Sequence, residues 1–573
     1  MSKFQLLLDQ FPVEIIFDVF KYFTASEILY SFYNFSRYLR KCIRSYQKYK
    51  INFTSISKNE FDQICKIIRP DQILALTLSD DEETPGQTAL FFTRFPRFEQ
   101  QFIRLECLHI RNFEEFPGLS QMESLHTLSI DFIHWPLYAF ELVPIQQFDD
   151  KLANMFRLPT LRTLILNKES LNIRFNLKIL PIAEQVHKFQ FHLRTIDNFP
   201  FIFNFIPNIQ KLTISLNTTS FDTDLTSKLY VPYSLTHLTI KICFGLRDEI
   251  KQIIQSCSNL IYLNIHIERN QTDSYQWFDG NWWQSLIDQF LPQLKVFRLR
   301  IDLNASLDLV VIKDLLKTFQ TTSWTNNQQR YQSFIIGVMS FDILPNINCK
   351  QQLISSRTLV INLSHNESFG QPLYRASNIE SLTLQHESNT EECYVISDLI
   401  EIERYMSNFS TLVHLKLNTT CTMTSFAFTQ LLNMAPRLTR LTISSFSNHL
   451  CQLNNLVCPQ IRWLDMKRQY LPSKFRMKFC SLFPCLEHLL NCYLYNEEDF
   501  EVLIENLRCL QCLTSHIQSC YFDSDAELNE WLQKHTHLKN FIFKLINERQ
   551  ILLWIGGCNS NIARPIMNSM KNR

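Results

Sequence analysis

One short apolar template recurs from near residue 70 to near residue 545, and it limits the possible folds more than any other feature. In Leu438-Thr-Arg-Leu441-Thr-Ile443 the first, fourth and sixth positions are apolar. The same pattern stands at Ile73/Leu76/Leu78, Leu105/Leu108/Ile110, Leu125/Leu128/Ile130, Leu161/Leu164/Leu166 and Val186/Phe189/Phe191. From Val186 the next copies begin at Ile209, Leu235 and Leu260, at steps of 23, 26 and 25 residues. From Leu412 they begin at Leu438, Ile461, Leu486 and Leu510, at steps of 26, 23, 25 and 24. A fixed period of this size marks a stack of equivalent units, none of which can bury its apolar side alone. Period-two alternation puts the last two apolar residues of each copy on one face of a short strand. Between Leu294 and Ile379 there is room for degenerate copies, around Phe334–Val338 and Leu359–Leu363.

The segments between copies have helical patterning, as in Asp248–Cys257 and Phe426–Ala435. Proline or cysteine with a polar residue precedes many copies: Pro207-Asn208, Pro436-Arg437, Cys458-Pro-Gln460. Proline there ends the helix and sets up the strand. From about residue 70 to 545 the chain resembles the leucine-rich-repeat family. Leu235…Cys243 and Ile209…Asn217 match the ninth position of its cysteine-containing subclass, whereas Glu169, Glu268 and Asp302 depart from it. The resemblance implies an α/β fold in which the repeats build an irregular solenoid, a horseshoe.

The N-terminal segment Phe11–Phe23 has a different character. Pro12 suits the first turn of a helix, and Glu14 sits near the positive end of its dipole. Val13, Ile15, Ile16, Phe17, Val19, Phe20, Tyr22 and Phe23 run nearly all the way round that helix. A helix of this kind is buried on all sides. Only about two short helices follow, near Ser26–Asn34 and Ser36–Ser45, too little to cover it. The uncovered face calls for another protein. The residues Phe11-Pro12-x-Glu14-Ile15-Ile16-x-x-Val19-Phe20-x-x-Phe23, followed by Glu27-Ile28, Phe32, Phe35 and Ser36-Arg37, resemble the F-box family. Phe11 replaces the family's usual leucine, and Tyr38 stands near its common tryptophan. The resemblance implies a three-helix module that binds the adaptor of a Skp–cullin–F-box ubiquitin ligase. Carried over by position, the adaptor contacts would be Phe11, Pro12, Glu14, Ile15, Ile16, Phe20, Phe23 and Ile28. The domain plan is then an F-box at 1–48, a linker at 49–72, the repeats at 73–545, and a cap and tail at 546–573.

Residues between and beside the buried strand positions face outward on the concave side. Arg111, Lys188, Lys211, Lys241, Arg298, Arg300, Lys416, Arg440, Lys467 and Lys544 fall there, against only Asp131 and Asp465. His192, His237, His266 and His414 share that face, and Tyr262 and Trp463 are candidate anchors. The expected substrate-binding set is Arg111, Lys188, Lys211, Lys241, Tyr262, Arg298, Arg300, Lys416, Arg440 and Trp463. Basic residues on neighbouring strands repel one another, so the face calls for an acidic or phosphorylated protein partner.

The rest of the sequence argues mainly by exclusion. Fifty-six basic against 55 acidic residues give a formal charge of +1, which offers no case for nucleic acid or membrane. Only 8 glycines occur in 573 residues, and no phosphate-cradling glycine motif is present, so no nucleotide cofactor is expected. Seventeen scattered cysteines with no signal-like leader point to free thiols in the cytoplasm or nucleus. Cys509-x-x-Cys512 is half a zinc motif without its second half, and His535-x-His537 lacks a third ligand, so no metal is expected. Asp80–Glu83 reads as a solvated acidic loop, and Trp277–Trp283 as aromatic packing of an insertion or, as the alternative, a binding knob. The expected function is substrate recognition within a Skp–cullin–F-box ligase, without catalysis by this chain. The alternative is a binding scaffold outside any ligase, whose N-terminal helices only cap the repeats.

Overall fold

The computed structural model of the chain describes residues 8–111, 119, 121–131, 153–167, 181–193, 199–217, 231–244, 247–267, 277, 279–303, 317–320, 333–340, 358–363, 379–386, 394–397, 399–403, 406, 408–418, 421–444, 457–519, 522, 524–538, 540–547 and 549–556. The chain divides into two compact units. The first comprises Met1–Phe53, Ile64–Ser79 and Thr88–Leu344; the second comprises Thr54–Gln63, Asp80–Gln87 and Pro345–Arg573.

The described N-terminal part of the first unit includes the helices α1 (Val13–Phe20), α2 (Ala25–Phe32) and α3 (Arg37–Ser45). Thr24 accepts from the Glu27 amide while Glu27 accepts from the Thr24 amide, a capping box that starts α2. Ser36 caps α3 through the Leu39 amide. Phe20 is buried between Phe32 and Tyr46, each ring 5.5 Å away. Tyr46 in turn meets Tyr49 edge-on at 4.9 Å, so the helices share a core with the first strand of the sheet.

Among the described residues that sheet has eleven strands in chain order: β1 (Tyr49–Asn52), β2 (Ile73–Ser79), β3 (Cys107–Arg111), β4 (Thr127–Asp131), β5 (Thr163–Asn167), β6 (Lys188–Leu193), β7 (Lys211–Asn217), β8 (His237–Phe244), β9 (Tyr262–Ile267), β10 (Val296–Leu303) and β11 (Ser333–Ser340). Each pairs in parallel with the next. Leu212, Leu238 and Leu263 fall in one buried row and Ile214, Ile240 and Ile265 in another. The leading residue of each copy is buried too, as at Leu235 and Leu260. The residue after it extends the ladder, with Ile261 N donating to Thr236 O at 2.8 Å. Intervening helices such as Arg247–Gln255 and Gly280–Phe290 provide the crossovers that parallel strands require.

The second unit holds β12 (Thr358–Leu363), β13 (Ser381–His386), β14 (Tyr394–Ile396), β15 (His414–Leu417), β16 (Cys421–Met423), β17 (Arg440–Ile443), β18 (Trp463–Tyr470), β19 (His488–Leu494), β20 (Cys512–Ile517), β21 (Phe541–Asn547) and β22 (Gln550–Ile555). Nine of them form a sheet in the order β12-β13-β15-β17-β18-β19-β20-β22-β21, and β14 pairs with β16. The sheet is parallel until β22, which runs antiparallel to both β20 and β21.

This corrects the expected fold. A separate three-helix module followed by one solenoid curved as a horseshoe is not what forms. The N-terminal helices belong to the same unit as the eleven-stranded sheet, and the strands divide between two sheets in an α/β arrangement. The physical reason is that the template describes one strand and its buried side. It carries no term for where strand pairing stops or what packs at the ends. Residues 49–72, expected as a linker, hold β1, a helix at Lys58–Ile67 and a short 3-10 turn at Pro70–Gln72. Of the expected cap and tail, 557–573 lie outside the described residues, while β22 is inserted into the second sheet.

Candidate functional site

The N-terminal helix has two sides. Ile16 and Phe20 are buried, as is Ile28 on α2, so three of the expected adaptor contacts are core residues instead. The reason is spacing, because Ile16 and Phe20 lie one turn apart on the side facing Phe32 and Tyr46. Phe11, Pro12, Glu14, Ile15 and Phe23 are exposed. Val19 and Tyr22, absent from the expected set, are exposed beside them, Tyr22 at 88%. Phe11, Ile15, Val19 and Phe23 follow one another at four-residue steps and are all exposed, Ile15 and Val19 one turn apart on α1 and Phe11 and Phe23 just beyond its ends, with Phe23 also meeting Phe32 edge-on at 5.8 Å. Large apolar side chains exposed together in this way make this end of the unit a candidate interaction surface.

The outward face of the first sheet carries the expected basic residues in register. Lys188 pairs with Lys211, and both are exposed on adjacent strands. At the usual strand spacing of about 4.8 Å two such charges repel by roughly 1 kcal/mol even in water. Lys241 stands opposite His266, which stands opposite Arg300. His237 stacks on Tyr262 with ring centres 5.6 Å apart, and the Arg298 guanidinium lies 5.6 Å from the Tyr262 ring. Burial and the neighbouring Lys211 charge hold His237 below the usual histidine range. Arg111 departs from this group, because its Nε lies 3.2 Å from Asp131. Asp131 also meets His109 Nε2 at 3.0 Å and accepts from Asn167 Nδ2 at 2.6 Å. Burial pushes the Asp131 carboxyl up, but these hydrogen bonds and the His109 and Arg111 charges outweigh it and hold it below the usual carboxylate range. Arg111 is therefore ion-paired with Asp131 on this face.

On the second sheet, the outward row runs His414, Arg440, Trp463, His488, Cys512. Arg440 lies 5.8 Å from the Trp463 ring, and Lys416 is one row on, opposite Thr442. His414 Nε2 meets Thr442 Oγ1 at 2.9 Å, and burial together with the Arg440 and Lys416 charges keeps it below the usual histidine range. Register shifts interrupt β18 and β19, and Lys467 (φ 47°) and Asn491 (φ 53°) sit there in the left-handed region. Such bulges re-aim side chains. Here they bring Asn491 Nδ2 3.1 Å from Asp465 Oδ1 and Lys467 Nζ 2.8 Å from Asp465 Oδ2.

The acidic segment Asp80–Glu83 is not a solvated loop, which corrects the sequence reading. It belongs to the second unit and lies against this row. Trp463 Nε1 donates to Glu83 Oε1 at 3.1 Å, and Asn491 Nδ2 to Glu82 Oε2 at 3.3 Å. Cys512 Sγ donates to the Glu82 carbonyl at 2.9 Å. Asp81 Oδ1 closes the turn by accepting from the Glu83 and Thr84 amides, each at 3.0 Å. Gly86 follows at φ 70°, where a Cβ would stand 2.9 Å from Ile542 Cγ2. His488 Nδ1 and Thr514 Oγ1 are buried here without a hydrogen-bond partner among the described residues. Burial lowers His488 below the usual histidine range even though Glu83 and Glu487 favour its charged form. Local sequence gave no warning of this docking, since the partners of Glu82 and Glu83 lie hundreds of residues away.

Other candidates are structural. Burial pushes the Cys512 thiol well up, Cys509 is exposed, and no group of three potential metal ligands occurs among the described residues. Trp277 and Trp283 are buried, with Trp283 Nε1 donating to Trp277 O at 2.9 Å, while Trp282 stacks under Arg247 at 4.1 Å. His535 stacks on Trp531 at 5.3 Å. Among the described residues no helix is long and apolar enough to cross a membrane. No family model matches the chain, and no curated protein matches it.

Proposed function

We propose that the chain is a substrate receptor of a Skp–cullin–F-box ubiquitin ligase. On this reading the exposed apolar residues on and beside α1 dock a Skp-type adaptor, and through it a cullin. The polar sheet faces hold an acidic or phosphorylated protein target. The chain supplies no chemistry of its own; ubiquitin transfer follows from proximity. Its compartment would be the cytoplasm or nucleus, where adaptor and cullin act.

The observation that carries the reading is the exposure of Phe11, Ile15, Val19 and Phe23, because they coincide with the F-box-like residues. Burying one large apolar side chain contributes about 1.5–3 kcal/mol. Four or five of them offset the several kcal/mol that association costs. Co-purification of the intact protein with adaptor and cullin tests the proposal. Ile15→Glu should release both while leaving the melting midpoint unchanged. If adaptor and cullin never co-purify with the wild-type chain, the proposal fails.

A second reading rests on the continuity of Phe20, Tyr46 and Tyr49, which ties the helices to β1. Under it the helices only cap the sheet of a scaffold protein, and Ile15→Glu changes no interaction.

A further inference from the structure

The acidic turn of the second unit meets its sheet face in an incomplete way. Three of its contacts use the neutral donors Trp463, Asn491 and Cys512. Arg440 and Lys416, on the same face, make no ion pair among the described residues. His488 Nδ1 and Thr514 Oγ1 stay buried without a partner there. The turn thus places carboxylates on this surface while, among the described residues, Arg440 and Lys416 stay without an ion pair and His488 Nδ1 and Thr514 Oγ1 without a hydrogen bond. A ligand with anionic groups that also reach Arg440 and Lys416 would gain charge-assisted contacts with those two cations.

We propose that Asp80–Gly86 is a built-in competitor, and that an acidic peptide segment binds the second sheet by displacing it. The proposal rests on the reading that the sheet faces take an acidic partner, and it adds that one of those faces is already occupied from within. Occupation by a resident segment lowers the apparent affinity of an outside peptide by the fraction of molecules in which the face is open. Weakening the resident turn must therefore tighten binding of the outside peptide without any change to the face itself.

The probe is a fluorescein-labelled peptide of the turn's own sequence, Asp-Asp-Glu-Glu-Thr-Pro-Gly, added to the full chain and read by fluorescence anisotropy. The variant Glu82→Gln with Glu83→Gln keeps side-chain size and should bind the peptide about tenfold tighter than wild type, the equivalent of one lost hydrogen bond to a charged group. Adding Arg440→Glu should abolish the gain. Hydrogen exchange on the wild-type chain gives a readout that needs no variant: saturating peptide should raise exchange across residues 80–87. Equal affinity for wild type and the double variant, or no peptide binding to either, overturns the competitor. In the first case the acidic-partner reading stands if Arg440→Glu still weakens binding. In the second it is judged separately, by whether Arg298→Glu with Arg300→Glu on the first sheet abolishes target capture.

Discussion

Ile15 and Phe20 lie on one short helix and have opposite energetic roles. Phe20 is 1% exposed among aromatic rings, so Phe20→Ala should cost about 3–5 kcal/mol in chemical unfolding. Ile15 is 45% exposed, so Ile15→Glu should stay within about 0.5 kcal/mol of wild type in the same measurement. The sequence showed that the helix is apolar nearly all round. Which side faces inward was not legible, because Phe32, Tyr46 and Tyr49 decide it through tertiary packing. The histidines give a pH prediction. His237, His414 and His488 all have folded values below their unfolded value of 6.5. The unfolded chain therefore takes up protons first as pH falls below 6.5, and stability is lost on the way down to the folded values. The melting midpoint should be lower at pH 5.5 than at pH 7.5, and His414→Asn with His488→Asn should reduce that difference. Asp131 acts at lower pH. Its stabilisation is present above the unfolded value of 3.8 and disappears as pH falls through its lowered folded value.

At the scale of elements, strands were legible and their irregularities were not. Alternation at Leu238/Ile240 or Leu441/Ile443 is a local property, and the buried rows of both sheets follow it. The bulges at Lys467 and Asn491 leave the apolar template intact, so nothing in the period announces them. The destination of the acidic turn was hidden for a related reason, since charged residues beside Pro85 and Gly86 look alike whether solvated or docked. The turn can be tested as an element. Gly86→Ala adds a Cβ at a positive φ and 2.9 Å from Ile542 Cγ2. It should destabilise the protein by about 1–2 kcal/mol, read by denaturant unfolding. The same change should loosen the turn and raise hydrogen exchange at residues 80–87.

At the scale of the whole molecule, the division into two sheets was not legible. The same template serves both, and a chain-order stack was the simplest extrapolation. The second unit draws on residues 54–63 and 80–87 as well as 345–573. Phe61 packs edge-on against the buried Trp554 at 5.5 Å, and Lys58 donates to Asn540 at 2.7 Å. A fragment containing only residues 345–573 should therefore expose Trp554 and Cys512, bind a hydrophobic dye and melt below the intact protein.

The interleaved composition of the second unit also sets an order of events during synthesis. Lys58 and Asn540 are 482 residues apart, and Glu83 and Trp463 are 380 apart. The early segments leave the ribosome long before the strands they cover exist, and closing such long loops is slow. At about 5–20 residues per second, those segments wait tens of seconds for their partners. During that interval Phe61 has no buried site in the second unit, and the nascent chain is a natural client for chaperones. Newly made molecules should need more folding assistance than their finished stability suggests.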